Sequence, residues 1–129
     1  IVTLQKGTPF SVFGGFGRAK LVGDPKANSS TPDRFINPSA FVESTSAADQ
    51  SPRNFLRAPG IADVDFSLFR KVNFTERTGL EFRTEFFNLF NHPQFGFPNN
   101  FCCGGDFRKI TTTRLSSERQ IQFGLGFTF

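Results

Sequence analysis

The sequence has no Tyr, Trp or Met and only one His, whereas Phe occurs 20 times. A single imidazole cannot form a histidine cluster for a metal, and no Ser, Cys or Asp is arranged around His92 as in a catalytic triad. His92 precedes Pro93 in a predicted turn, so we interpret it as a local hydrogen-bonding residue. The glycines within residues 14–17 lack the Lys and Ser/Thr of a phosphate-binding loop. We therefore expect a protein that is not an enzyme and that binds no cofactor.

Runs of one charge and long apolar segments are also missing. The net charge is +4, but acidic and basic residues are interleaved, which argues against nucleic-acid binding. No segment approaches the roughly 18 consecutive apolar residues of a membrane-spanning helix. Phe, by contrast, combines a large apolar side chain with high β-propensity, so its abundance favours β-structure.

Cysteine is scarce, and the two residues present are adjacent, at Cys102 and Cys103. Without a nearby His or a second pair of cysteines, they do not form a metal site. We predict either two thiols or one local disulfide in a Gly-rich loop. Either thiol could instead bond to another chain, because a ring closed by neighbouring residues is strained.

The most regular pattern lies in residues 119–129, where apolar side chains occupy alternate positions. Ile121, Phe123, Leu125, Phe127 and Phe129 alternate with Gln, Gly and Thr. Successive side chains of a strand point to opposite faces, so this segment is predicted to be a strand with one apolar face. Leaving that face in water would forgo on the order of 10 kcal/mol, at roughly 1.5–3 kcal/mol for each large side chain. A core, lipid or another chain must therefore cover it.

Three further strands are predicted in the second half, at residues 61–74, 80–87 and 107–114. The register of the first drifts at Phe69 and Arg70, which indicates a bulge or a wet end. Residues 75–79 form a hairpin connection, with Gly79 placed for a positive φ. The fold class is all-β: an antiparallel sheet, sandwich or partial barrel of about 5–7 strands, with a long Pro/Ser-rich loop and a strand-like N-terminal arm.

Charged residues alternate along the strand at residues 80–87. Glu81, Arg83 and Glu85 share one face, and we predict pairing across the hairpin with Arg70 or Lys71. Two carboxylates can serve acid–base catalysis, but Arg83 lies between them and strand spacing explains all three. We interpret this face as solvated rather than catalytic.

The first half is predicted to have less regular structure. Residues 1–17 form an N-terminal arm, a candidate donated strand, and residues 18–129 form a single β-domain. Within that domain, residues 18–60 comprise a short strand and a long loop with one helical turn near residues 39–43. Apolar residues are expected to anchor the loop: Phe35, Ile36, Phe41, Phe55 and Leu56.

Two triplets fit the N-glycosylation pattern. Asn28 begins Asn-Ser-Ser, and Asn73 begins Asn-Phe-Thr. Such triplets are common by chance, so both residues are only candidate sites.

Five short segments form a recognisable combination: Leu21-Val22-Gly23-Asp24-Pro25, Phe35-Ile36-Asn37-Pro38-Ser39-Ala40-Phe41, Arg53-Asn54-Phe55-Leu56-Arg57-Ala58-Pro59-Gly60, Asp65-Phe66-Ser67-Leu68-Phe69 and Glu85-Phe86-Phe87-Asn88-Leu89-Phe90-Asn91-His92-Pro93-Gln94-Phe95-Gly96. Together they resemble the C-terminal barrel segment of TonB-dependent outer-membrane receptors, particularly the Oar-like class with a carboxypeptidase-regulatory domain. The last strand, ending in Phe129, is similar to the terminal signal of such barrels. The resemblance implies the closing strands of a large barrel that imports substrates. No plug domain is present, and the aromatic girdle lacks its usual Tyr and Trp.

Two functions are compatible with this pattern. About four to seven strands cannot close on themselves, since the smallest membrane barrels need about eight. The first hypothesis is thus a structural protein of the cell surface or extracellular space, which self-assembles with copies of itself into a filament by strand addition. Its predicted assembly residues are Val2, Leu4, Phe10, Val12, Ile121, Phe123, Leu125, Phe127 and Phe129. The alternative is the closing part of a TonB-dependent transporter barrel in the bacterial outer membrane, with lipid as its partner. No small-molecule substrate is evident from the sequence.

Overall fold

The computed structural model describes residues 1–27 and 31–129 and is all-β. The longer strands in this part of the chain are β1 (Val2–Gln5), β6 (Ile61–Val64), β7 (Phe66–Asn73), β8 (Gly79–Phe87) and β9 (Gln120–Thr128). Two-residue strands are β2 (Pro9–Phe10), β3 (Lys20–Leu21), β4 (Phe41–Val42) and β5 (Leu56–Arg57). Short 3-10 helices lie at Pro32–Arg34, Pro38–Ala40 and Ala47–Asp49. Over the residues described, no helix combines the length and apolar character needed to cross a bilayer.

The chain divides into two compact units. Unit 1 comprises Ile1–Gln5, Ile61–Pro93 and Leu115–Phe129, and unit 2 comprises Lys6–Gly60 and Gln94–Arg114. This differs from the predicted arm at residues 1–17 and single β-domain at residues 18–129. The predicted arm is split because β1 pairs with β6, whereas Phe10 and Val12 are buried in the core of unit 2.

Unit 1 contains an antiparallel sheet in the order β7-β8-β9. β7 pairs with β8 from Phe66 opposite Phe86 to Asn73 opposite Gly79, and Gly79 also lies opposite Thr128 of β9. The hairpin between β7 and β8 is closed by the Phe74 N–H, which donates to the Thr78 carbonyl at 2.8 Å. These contacts confirm the predicted hairpin and three of the predicted strands.

Two details of this hairpin differ from the sequence-based expectation. The β7–β8 ladder runs without a bulge, so Phe69 and Arg70 keep the strict alternation of faces. Gly79 does not have the expected positive φ, since that geometry occurs only at Gly15 and Gly17 among the glycines described. The Thr75 hydroxyl instead stabilises the turn by accepting from the Thr78 N–H at 3.0 Å.

The other sheet of unit 1 pairs β1 with β6, with Val2 opposite Val64 and Gln5 opposite Ile61. The two strands are extended by Ile1 and Asp65, because the Asp65 N–H donates to the Ile1 carbonyl at 2.8 Å. At the opposite edge of the same strand, the Leu89 N–H donates to the Val64 carbonyl at 2.8 Å. The Val64 carbonyl and the Asp65 N–H belong to one peptide group and point to opposite edges of the strand. β1 therefore lies on the edge away from the end of β8.

Unit 2 holds short strand pairs, β2–β5 and β3–β4, around an apolar core. The predicted loop anchors pack there: Ile36 and Phe41 are buried, and Phe35, Phe55 and Leu56 are partly buried against them. The expected helical turn near residues 39–43 is the 3-10 helix Pro38–Ala40.

No strand forms at residues 107–114, contrary to the prediction. The Phe107 N–H donates to the Gly104 carbonyl at 3.1 Å, and the Lys109 N–H donates to the Asp106 carbonyl at 3.2 Å, so the chain turns here. Phe107 is buried and packs edge-on against Phe41 with ring centroids 5.8 Å apart. The apolar residues of this segment therefore serve a core rather than a ladder.

Candidate membrane-facing surface

The register of the β7-β8-β9 sheet gathers most of its large apolar side chains on one side. Phe66, Phe86 and Ile121 lie in one cross-strand row, and Val72, Leu80 and Phe127 lie in another. Two rows between them contribute Leu68, Phe123, Phe82 and Leu125. We call this set the apolar face: Phe66, Leu68, Val72, Leu80, Phe82, Phe86, Ile121, Phe123, Leu125 and Phe127.

Most of the apolar face is uncovered by the chain itself. Phe123 is 70% exposed and Leu125 is 73% exposed, although both are central in β9. Rings contact one another along the sheet, as with Phe82 and Phe123 at a centroid distance of 6.4 Å. Covering such a surface is worth on the order of 10 kcal/mol at roughly 1.5–3 kcal/mol per side chain, so a contiguous patch of this kind marks an interaction surface.

The opposite face of the same sheet carries the charged side chains, and we call it the polar face. It also bears two phenylalanines, Phe69 opposite Arg83 and Phe87 opposite Gln120. Arg83 and Glu85 form an ion pair at 2.7 Å, and Lys71 lies across from Glu81 in the ladder. The register places Lys71 opposite Glu81, as the predicted pairing requires, although the two side chains form no ion pair within 4.0 Å in the described residues, and Arg70 lies opposite Phe82 on the apolar side. Arg83 and Glu85 are partners on this charged face.

Two glycines of β9 lie opposite charged residues of β8. Gly124 lies opposite Arg83, and Gly126 lies opposite Glu81. A Cβ at Gly124 would stand 3.6 Å from the Cβ of Arg83, and one at Gly126 would stand 3.7 Å from the Cβ of Glu81. Both distances are ordinary van der Waals contacts, so an alanine would fit at either position.

Two polar residues interrupt the apolar side. Thr84 is only 5% exposed and lies between Leu68 and Phe123 in its row, so larger neighbours cover its hydroxyl. Arg70 is exposed and lies on β7, the strand at the margin of the three-stranded sheet. A long side chain of this type can run along an apolar surface and place its guanidinium in water.

Asn88 orders the end of the sheet where β8 stops. Its Nδ2 donates to the Ser117 carbonyl at 2.6 Å and to the His92 carbonyl at 2.9 Å, while its Oδ1 accepts from the His92 N–H at 2.9 Å. Asn91 supplies a further acceptor for the Arg119 N–H at 3.2 Å. Both asparagines have positive φ, which ends the extended backbone of β8, and His92 takes part in local hydrogen bonding.

The structure separates the predicted assembly residues into three groups. Ile121, Phe123, Leu125 and Phe127 belong to the apolar face, and Phe129 follows β9 with 94% exposure. Val2 and Leu4 are exposed on β1. Phe10 and Val12 cannot be donated with them as an exposed strand, because both are buried in the core of unit 2.

The remaining predicted sites lie elsewhere. Asn73 is exposed at the last position of β7, whereas Asn28 lies outside the described residues. Cys102 and Cys103 are joined by a disulfide in unit 2. Across residues 1–27 and 31–129, His, Cys, Asp and Glu form no group of metal-ligating geometry.

Neighbouring groups lower the pKa of two carboxylates in unit 2. At Asp49, desolvation acts to raise the pKa, but the Ser46 and Thr45 N–H groups, the Thr45 hydroxyl and the Lys20 charge together hold it below the ordinary value. At Asp106, the hydrogen bond and the charge of Lys109 lower the pKa, with a contact of 2.8 Å. Both effects stabilise local loop structure.

Comparison with known proteins places this geometry in a family. No curated protein and no solved structure matches the chain significantly. A family model described as an outer membrane beta barrel domain matches residues 1–122, which include most of the strands of unit 1. The predominant alternation of apolar and polar side chains in its sheet is what a barrel between lipid and a lumen requires. The chain belongs to the outer membrane beta-barrel domain family.

Proposed function

We propose that this chain supplies membrane-spanning strands to a bacterial outer-membrane β-barrel, with the apolar face toward lipid and the polar face toward the lumen. One observation carries the proposal: β7, β8 and β9 place most of their large apolar residues on one side and the Arg83–Glu85 pair on the other, with Phe69 and Phe87 as the apolar exceptions on the charged side. Barrel strands in membranes alternate apolar-out and polar-in in this manner. The family match supports the same location.

Strand length fits this role. β8 and β9 each contain 9 residues. At about 3.3 Å per residue each is roughly 30 Å long, and a tilt of about 45° gives a height of roughly 21 Å. The outward apolar band of such barrels is about 25 Å tall, so the two strands cover most of it.

The connections indicate which end faces the cell exterior. β7 and β8 are joined by the short turn at residues 74–78, whereas residues 6–60 join β1 to β6 and residues 88–119 join β8 to β9. Both long connections leave the ladders at one end, where Gln5 lies opposite Ile61 and Phe87 lies opposite Gln120. Outer-membrane barrels have short periplasmic turns and long extracellular loops. We therefore orient residues 74–78 toward the periplasm and the long connections toward the exterior.

A barrel needs more strands than unit 1 contains, since the smallest have about eight. Further strands must lie beside the outer edges of β7 and β9, which have no ladder partner along Phe66–Asn73 and Gln120–Thr128 in the described part of the chain. The segments that resemble TonB-dependent receptors favour a large transporter barrel as the complete assembly. In that assembly the chain has a structural, non-catalytic role.

The filament hypothesis loses its candidate donated strand. It assigned that role to residues 1–17, but β1 pairs with β6 of its own chain and Phe10 and Val12 are buried. The family match concerns a membrane barrel and says nothing of fibres. Association of copies stays a prediction.

The absence of Trp from the sequence allows a direct test. A Phe123→Trp variant places one reporter on the apolar face, and Gln122→Trp places one on the adjacent position of the polar face. After folding into phospholipid vesicles, lipids brominated on their acyl chains should quench the fluorescence of the Trp at position 123 several-fold more than that at position 122. Equal quenching at both positions, or quenching at neither, would refute the orientation.

A further inference from the structure

Unit 2 contains two cavities that share Ala27 and Ile36 in their linings. The larger has a volume of about 410 Å³ and the smaller about 310 Å³. Lys26 and Ile36 form an antiparallel bridge at this place. Ligand sites of small molecules begin at about 300 Å³, so the larger cavity is of adequate size.

The larger cavity is mainly apolar, and within residues 1–27 and 31–129 its ionisable lining groups are cations. Phe10 and Ile36 are buried in its wall, and Phe35, Phe55 and Leu56 are half-buried there. Its lining is completed by Pro25, Ala27, Lys26 and Arg57. The Nη1 of Arg57 donates to the Gly7 carbonyl at 3.1 Å, which restrains the guanidinium and leaves further N–H donors for another acceptor.

Among the described residues, the cations that line these cavities form no ion pair with a carboxylate. Elsewhere in unit 2, Lys20 pairs with Asp49 at 3.7 Å, and Lys109 pairs with Asp106 at 2.8 Å. No Asp or Glu lines either cavity among the described residues, although Arg34 and Arg108 line the smaller one. The Asp24 carboxylate lies close by, since it accepts from the Lys26 N–H at 3.0 Å, so the excess of positive charge is confined to the side chains in the two linings.

We propose that the larger cavity binds a small organic anion with an aromatic or branched apolar body. The Phe35, Phe55 and Leu56 wall would receive the apolar body, and Lys26 and Arg57 would hold the carboxylate or other oxyanion. Arg and Lys beside an apolar wall bind such a group more strongly than they do in open water, because the partly excluded solvent screens the charges less. This inference concerns unit 2 and does not depend on membrane orientation.

The test uses the complete 129-residue chain folded in phospholipid vesicles and 4-fluorobenzoate observed by fluorine NMR. Saturable binding is expected, and the neutral analogue 4-fluorobenzamide should bind at least about tenfold more weakly, equivalent to about 1.4 kcal/mol. Lys26→Gln should weaken benzoate binding several-fold with little effect on the amide. Phe55→Ala should weaken both compounds.

Arg53→Gln is the matched control, since Arg53 is exposed and lines neither cavity. It removes the same charge as Lys26→Gln and should leave the affinity unchanged. Equal affinity for the anion and the amide would overturn the proposal, as would an equal loss in Arg53→Gln and Lys26→Gln. A loss confined to the Arg34→Gln/Arg108→Gln double variant would assign the anion to the smaller cavity and also refute it. The Trp-quenching result is independent of all these outcomes.

Discussion

The Asn88 side chain donates to the Ser117 carbonyl at 2.6 Å, across 29 positions of sequence. This contact joins the residue after β8 to the segment that leads into β9. Asn88 is 2% exposed, and its backbone N–H donates to the Asp65 carboxylate at 3.1 Å. Through its backbone N–H and its side-chain amide, Asn88 thus ties together the start of β7, the end of β8 and the segment before β9 within unit 1.

Replacement of Asn88 should destabilise unit 1 strongly. Asn88→Ala removes the partners of the Ser117 and His92 carbonyls and places Ala at φ 49°, so we expect a loss of about 2–4 kcal/mol. Urea unfolding in vesicles, monitored by circular dichroism, measures the change. Asn91→Ala removes one exposed acceptor at a similar φ of 52° and serves as the control, with an expected loss of about 1–2 kcal/mol. Equal losses in the two variants would contradict the role assigned to the buried amide.

A charge on the apolar face should oppose membrane folding. Phe123→Arg places a guanidinium in the second of four cross-strand rows, where a lipid-facing cation costs about 2–4 kcal/mol near the bilayer midplane. Gln122→Arg adds the same charge on the polar face and should cost less than about 1 kcal/mol. The free energy of folding into vesicles, obtained from urea titrations, distinguishes the two. A larger cost for Gln122→Arg would reverse the orientation of the sheet.

Arg70 is a charged residue on the apolar side of the sheet, so its replacement by an apolar residue should favour membrane folding. It lies opposite Phe82 on the apolar side, so Arg70→Leu should strengthen folding into vesicles by about 1–3 kcal/mol if the side chain meets lipid. The same titrations measure this gain. Lys71→Leu, on the adjacent polar position opposite Glu81, removes a favourable cross-strand charge pair and should not stabilise the protein. Destabilisation by Arg70→Leu would indicate that Arg70 has a polar partner in the complete barrel.

Strict alternation made the sheet of unit 1 predictable. The period-two pattern of residues 119–129 and the turn residues at 75–79 identified β9 and the hairpin, because both signals are local. The same logic failed at residues 107–114, where Phe107 and Ile110 are apolar but buried in a core built from distant segments. The larger cavity of unit 2 likewise forms where segments that are distant in sequence pack together. Phe10, Lys26 and Phe55 line it together, yet no spacing in the sequence relates them.

Gly7, which is buried in unit 2, and Gly124 of β9 differ in the space available for a Cβ. A Cβ at Gly7 would overlap the Ala58 carbonyl, whereas one at Gly124 would meet the Arg83 Cβ at an ordinary 3.6 Å. We expect Gly7→Ala to lower stability by at least about 2 kcal/mol through backbone displacement, and Gly124→Ala to be neutral or slightly stabilising. Thermal melts of the two variants compare them directly. Similar melting temperatures would contradict the close approach of Gly7 and Ala58.

The loop around Asp49 should respond to acid. Its carboxylate accepts from the Thr45 hydroxyl at 3.1 Å and from the Ser46 N–H at 3.2 Å, and these bonds favour the charged form. Because the folded-state pKa lies below the ordinary 3.8, the loop gains stability above pH 3.8 and loses it as the pH falls through the lower folded-state value. Carbon-13 NMR of the Asp49 carboxyl should show a midpoint below 3.8, which Thr45→Val should move upward by removing the hydroxyl donor. A midpoint at or above 3.8 in the unmodified chain would show that desolvation outweighs the hydrogen bonds.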